Sequence, residues 1–170
     1  MTISYNHPPP EEGKKKKPKI VFVAGGLSTR LKPITENIPK CMVDINGKPF
    51  VLHQIEFFRD KGYADFVFCV AHLAEKVKEY FGDGSAFGVH IEYSQEPEEL
   101  LVTSVSFKYA ESLLSDPVIV FYADSITNMD FDPALAYHTE KGSDFTIIVR
   151  KITPEYLACK SSGIPDSLII

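Results

Sequence analysis

Apolar and polar positions repeat along this chain with two alternating periods, and the switches between them set its element order. Residues 20–24 form an unbroken apolar run of strand length that ends on glycines. A glycine-containing loop follows, to about Gly47. Pro49 sits at a helix start, Phe50, Ile55, Phe57 and Phe58 give the next segment an apolar face, and Gly62 stops it. Residues 65–71, with Phe66-Val67-Phe68-Cys69-Val70 inside them, predict a second buried strand. Residues 73–81 predict a short amphipathic helix closed by Gly82-Asp83-Gly84, and Val89, Ile91 and Tyr93 alternate as a third strand. Residues 103–114 carry Val105, Tyr109 and Leu113 at helical spacing. Residues 118–122 predict a fourth strand running into Asp124, residues 133–141 a helix, and residues 144–150 a fifth strand.

Strands separated by single helices imply right-handed crossovers and an α/β fold, a mostly parallel sheet in a three-layer, Rossmann-like arrangement. In such sheets ligands bind beyond the carboxyl ends of the strands. The loop after Ala24 and the carboxylate of Asp124 therefore belong to one sheet edge, although they lie far apart in the chain.

The ends differ in kind. Residues 1–18 hold Pro8-Pro9-Pro10, Glu11-Glu12-Gly13 and the lysine run 14–17, a composition that buries too little surface to order itself. They read as a disordered leader, the lysines as a solvated tail rather than an import or anion-binding patch. Residues 19–152 read as the domain proper. Residues 153–170 show no clear period and end on Leu168-Ile169-Ile170. They read as a divergent or truncated tail, with self-association of an apolar end as one expectation.

Composition narrows the function classes. The 170 residues suffice for one domain with a core, and the net charge of −5 argues against a general nucleic-acid binder. A phosphate site must then be a local positive cluster on an acidic body. Cys41, Cys69 and Cys159 are odd in number and widely spaced, as expected of reduced cytoplasmic thiols rather than a disulfide framework. No stretch has the length and apolarity of a membrane span, and no signal-peptide core precedes the first strand. His53, His72, His90 and His138 lack paired metal spacing, and no Ser-His-Asp or Cys-His arrangement is legible.

Chemistry concentrates where the first strand ends. Val21-Phe22-Val23-Ala24-Gly25-Gly26-Leu27-Ser28-Thr29-Arg30-Leu31-Lys32-Pro33 opens an apolar strand into two glycines, two hydroxyls and an arginine, with Pro39-Lys40 following. Adjacent glycines bring backbone N–H groups close to a ligand. Ser28 and Thr29 add short donors, and Arg30 and Lys40 place positive charge on phosphate oxygens. The spacing is neither a P-loop nor the G-x-G-x-x-G dinucleotide fingerprint. At the end of the fourth strand, Asp124 is suited either to Mg²⁺ or to a turn cap. Thr103 reads equally as a helix cap.

The segment from Ala24 to Leu31, with Pro39-Lys40, resembles the A-G-G-x-G-T-R-L and proline-lysine signature of the sugar-phosphate nucleotidyltransferases, Ser28 standing for a glycine. The resemblance extends over residues 20–150 and includes Asn46-Gly47-Lys48-Pro49, a turn that orients the first helix. Ala123-Asp124 resembles the family's Gly-Asp pair, whose aspartate binds the catalytic metal. Residues 100–106 resemble the P-L-G-T-G-G-A loop that contacts base and sugar, with Leu101 and Thr103 matching and Leu100, Val102 and Val105 replacing a proline and two glycines. The resemblance implies a nucleotide-diphospho-sugar transferase-like fold and transfer of a nucleoside monophosphate from a triphosphate to a sugar 1-phosphate. It implies a nucleotide site at Ala24, Gly25, Gly26, Ser28, Thr29 and Thr103, catalytic Arg30 and Lys40, and Mg²⁺ on Asp124. Relatives continue well beyond this length, into an acceptor half and often a second metal-binding aspartate. A nucleotide-binding protein without turnover, or a structural subunit on the same fold, is the alternative.

Overall fold

Strands made almost wholly of branched and aromatic residues have no polar face to offer water, and they demand cover on both sides. The structure, a computed structural model, describes residues 16–26, 31–97 and 103–149. Along the chain run β1 (Lys19–Val23), β2 (Asp44–Ile45), β3 (Lys48–Pro49), α1 (Phe50–Asp60), β4 (Asp65–Val70), α2 (Ala74–Phe81), β5 (His90–Gln95), α3 (Thr103–Ala110), β6 (Val118–Tyr122) and α4 (Asp132–Lys141). Four of the strands form a parallel sheet in the order β5-β4-β1-β6, with Phe22 opposite Phe68 on one side and Phe121 on the other.

The two faces of that sheet carry different chemistry. Ile20, Phe22, Phe66, Phe68 and Phe121 share one face, where Phe58 of α1 and Phe81 of α2 pack onto them. Phe22 sits centrally, its ring centroid 5.1 Å from that of Phe68 and 5.8 Å from that of Phe66. The opposite face presents Val21, Val67, Cys69 and Val118, covered by Ala110 and Phe107 of α3. Helices on both sides make the three layers.

That placement also fixes the handedness of the connections. From β1 the chain steps through α1 to β4 and through α2 to β5, always on the aromatic face. It returns by α3 across the other face to β6, on the far side of β1. Strand order thus reverses between β1 and β6, and a crevice opens beyond the carboxyl ends at such a switch point.

The small hairpin β2–β3 turns through Asn46 (φ 54°) and Gly47 (φ 80°). Two left-handed residues are what a two-residue hairpin loop requires, and Asn-Gly tolerates them. His53 Nε2 lies 2.8 Å from the Ile45 carbonyl and Lys48 Nζ donates to Glu56 at 2.8 Å, so the hairpin is tied to α1.

Three sequence expectations change. The helix from Thr103 ends at Ala110 and continues as one 3₁₀ turn, Glu111–Leu113. Tyr109 is exposed, and α3 turns Ser106 and Ala110 to the protein instead. Small residues four apart let the helix axis approach the sheet more closely than a tyrosine would. Residues 144–149 form no strand, and Phe145, Ile147 and Val149 are 76%, 70% and 83% exposed. Alternation supplies a pattern, but a strand exists only where a neighbour takes its N–H and C=O groups, and among the described residues this segment pairs with no strand.

The chain divides into two compact units between Asp124 and Ser125. In the second, α4 starts with Asp132-Pro133 and ends at Gly142 (φ 57°), and His138 Nδ1 lies 2.9 Å from Thr146 Oγ1. The leader and tail lie largely outside the described residues. Of the lysine run, Lys16 reaches Asp65 at 3.0 Å, and Lys17 Nζ stands 4.8 Å from the centre of the Tyr63 ring.

Candidate active site

Each loop at the switch point leaves its strand through one more rung of the parallel ladder. Ala24 N–H donates to the Cys69 carbonyl at 2.9 Å, Ala123 N–H to Val23 at 3.1 Å and Glu96 N–H to Val70 at 3.0 Å. These bonds fix where the glycine loop, the Asp124 turn and the Glu96 segment begin. Ala123 is buried, 1% exposed.

Lys40 arrives from elsewhere in the chain. Pro39 caps a 3₁₀ turn, Lys40–Met42, in which Met42 N–H donates to the Pro39 carbonyl at 2.9 Å. Pro39 and Cys41 are both buried, so the Lys40 backbone is held from either side. Its side chain crosses to the end of β6, where Nζ donates to Asp124 Oδ2 at 2.7 Å. The two side chains are 28% and 31% exposed, so the pair is only partly screened by water.

Gly25 and Gly26 are unlike neighbours. Gly26 is exposed, and a Cβ there would meet nothing within 4 Å. Gly25 is buried, and a Cβ on it would lie 2.5 Å from Glu96 Oε1 and 3.4 Å from the Ala71 methyl. Glu96 cannot easily withdraw. It is 4% exposed, and Ser106 Oγ of α3 lies 2.8 and 2.9 Å from its two carboxylate oxygens. Gly25→Ala is therefore expected to destabilise the chain by roughly 1–3 kcal/mol through overpacking. Thermal denaturation of Gly25→Ala and of a Gly25→Ala, Glu96→Ala double variant checks this. The double variant should cost less than the two single changes added together; full additivity would mean that the two residues do not collide.

Glu96 and Ser106 escaped the sequence reading. Nothing in their spacing marks a carboxylate as buried or identifies a serine as its partner. Of the residues singled out beforehand, Ala24, Gly25, Gly26, Lys40 and Asp124 come to the carboxyl edge of β1 and β6. Thr103 is the first residue of α3. Ser28, Thr29 and Arg30 lie outside the described residues.

The two described thiols are not nucleophiles. Burial pushes Cys41 and Cys69 up to about 12, with the charge of Asp124 adding to the effect at Cys41 and that of Glu96 at Cys69. Both therefore stay protonated in the folded chain, whereas in the unfolded chain they ionise near the ordinary value of 9.0. Their contribution to stability is complete below pH 9 and is lost as pH rises from there toward 12, by up to about 1.4 kcal/mol per pH unit for each thiol. Denaturant midpoints measured from pH 8 to 11 should fall less steeply for Cys41→Ala than for the parent chain. Equal slopes would contradict the burial argument.

Among the described residues, no group of three or more His, Cys, Asp or Glu side chains comes together to hold a metal ion. Asp124 offers one hard carboxylate at the crevice. Such a donor set suits Mg²⁺, which takes one or two carboxylates and completes its shell with water and phosphate oxygens. No described helix is long and apolar enough to cross a membrane.

Comparison with known proteins bears on the family and the fold. Residues 19–156 match the family model for nucleotidyl transferases. The chain is 32% identical over 159 residues to a UTP–glucose-1-phosphate uridylyltransferase of Synechocystis, covering 87% of this chain and 41% of that protein. It is 35% identical over 138 residues to a mannose-1-phosphate guanyltransferase of Gibberella zeae, covering 79% and 38%. The chain thus spans about two fifths of the length of these curated relatives. Among solved structures it superposes on HddC from Yersinia pseudotuberculosis complexed with GMP-PN, with a TM-score of 0.64, 28% identity, and 72% and 54% of the two chains covered. The matched segment runs through the sheet, the glycine loop, Lys40 and Asp124, and the chain belongs to the nucleotidyl transferase family.

Proposed function

We propose that the chain transfers a nucleoside monophosphate from a nucleoside triphosphate to a sugar 1-phosphate, giving a nucleoside diphosphate sugar and pyrophosphate. One observation carries this reading: Lys40 and Asp124 meet at the β1/β6 switch point, beside the glycine loop. The named relatives differ in base and sugar but share this reaction type.

The reaction needs no protein nucleophile. A phosphate oxygen of the sugar 1-phosphate attacks the α-phosphorus in line, and pyrophosphate leaves with the electrons of the broken P–O bond. The protein's task is positioning and electrostatic stabilisation. Backbone amides of Ala24, Gly25 and Gly26, with Ser28, Thr29 and Thr103, hold the nucleotide. Lys40 places its ammonium between α-phosphate and acceptor, and Arg30 neutralises the departing pyrophosphate. Asp124 would hold Mg²⁺, which would supply further positive charge to the phosphate oxygens. The free thiols of Cys41 and Cys69 accord with a reducing, cytoplasmic setting.

The test is pyrophosphate release from the purified chain with Mg²⁺, each nucleoside triphosphate and a panel of sugar 1-phosphates. UTP and GTP with glucose 1-phosphate and mannose 1-phosphate come first, because the relatives' names carry them. Release that needs one triphosphate and one sugar phosphate supports the transferase. Saturable binding without release would make the chain a nucleotide-binding protein without turnover. Absence of both would leave only the fold.

A further inference from the structure

Lys40 and Asp124 are given separate tasks in the proposed reaction, yet in the structure they neutralise each other. We propose that Lys40 is the resident counter-ion of Asp124, exchanged for a divalent cation, and that the exchange makes cation binding conditional on the phosphate substrate. The inference rests on the proposed reading of Asp124 as metal ligand.

The geometry carries it in three steps. Nζ of Lys40 lies 2.7 Å from Oδ2, in direct charge-assisted contact. A magnesium ion binds a carboxylate oxygen at about 2.0–2.1 Å, so both cations on that oxygen would repel each other at close range. One must leave. The lysine is the one able to move, because Pro39 and Cys41 are buried and hold its backbone while its four-carbon stem carries the rotatable bonds. No cage of other acidic, histidine or cysteine side chains stands among the described residues to share the cation's charge.

A cation that arrives alone must displace an ammonium from the carboxylate that balances its charge. A cation that arrives with a triphosphate brings the phosphate charge that receives the displaced lysine. Lys40 thus penalises the cation alone and not the cation-nucleotide complex. By linkage, cation and nucleotide raise each other's affinity. The same exchange delivers the ammonium to the phosphates at the moment the site is loaded.

The test needs no turnover. Mn²⁺ binding to the nucleotide-free chain is measured by electron paramagnetic resonance for the parent, Lys40→Met and Asp124→Asn. Lys40→Met is expected to bind Mn²⁺ roughly two- to fivefold more tightly, the range open to a partly exposed ion pair. Asp124→Asn should lose the site. Acetic anhydride labelling of the unmutated chain, read by mass spectrometry, is the second measurement and does not depend on a variant folding. Labelling of Lys40 relative to the other lysines should rise severalfold when Mn²⁺ saturates the chain. Unchanged Mn²⁺ affinity in Lys40→Met, or unchanged labelling of Lys40 on saturation, overturns the exchange. If Asp124→Asn binds Mn²⁺ as well as the parent does, the metal reading itself falls, a separate failure.

Discussion

Asp124→Asn is expected to lower Mg²⁺-dependent turnover, or Mg²⁺-dependent triphosphate binding, by roughly 10²–10³-fold, equivalent to about 3–4 kcal/mol. The amide keeps the size and one oxygen of the carboxylate but loses its charge, and a neutral oxygen is a poorer ligand for a hard cation. Its effect on stability should be small by comparison. The Lys40–Asp124 pair is about 30% exposed on each side, and such pairs contribute on the order of 1 kcal/mol or less. The measurement is pyrophosphate release or calorimetric triphosphate binding at several Mg²⁺ concentrations, with a denaturation curve alongside. Undiminished Mg²⁺ dependence in a folded variant would remove Asp124 from the site.

The largest stability effect is expected at Phe22. It lies on β1, in the interior of the sheet, is 0% exposed, and meets the rings of Phe58, Phe66, Phe68 and Phe121. Phe22→Ala removes the ring that the two neighbouring strands and α1 share, and the cavity is hemmed in by rigid aromatic groups that collapse poorly. The cost should be about 3–5 kcal/mol, against a total that for most domains is only about 5–15 kcal/mol. Phe22→Leu keeps most of the volume and should lose less than half as much. Urea unfolding checks both, with the midpoint shifting and the slope unchanged. A loss below 1 kcal/mol for Phe22→Ala would mean that this aromatic layer is not the core. Because the glycine loop begins two residues beyond Phe22, a loosened β1 should also weaken nucleotide binding.

Much of this was legible in the sequence because it is local. Residues 65–71 announce β4 through an unbroken apolar run, and Asn46-Gly47 announces a turn before α1, though not the hairpin that β2 and β3 make around it, because few residue pairs accept two left-handed conformations in succession. The alternation of runs and helical faces gave the parallel sheet, and the sheet gave the edge that gathers the loop after Ala24 and Asp124. Tyr109 misled because helical spacing identifies a stripe without saying which stripe meets the sheet. The tight fit of α3 selected Ser106 and Ala110. Residues 144–149 misled for the complementary reason, since strand propensity is realised only by a partner.

The sequence by itself determined the glycine loop, the lysine after Pro39 and the aspartate after an apolar strand, each set by a few neighbouring residues. It did not determine which of them touch. Lys40 and Asp124 are 84 positions apart, and their contact follows from strand order, with β6 returning to the side of β1 opposite β4. Glu96 beneath Gly25 depends on the same long-range geometry, because β5 is separated from β1 by β4 and its outgoing segment must fold back over the end of the sheet. Spacing along a chain encodes only what lies within a turn or a strand. Pairing across the sheet is a property of the packed whole, where close approach and desolvation decide which charges meet.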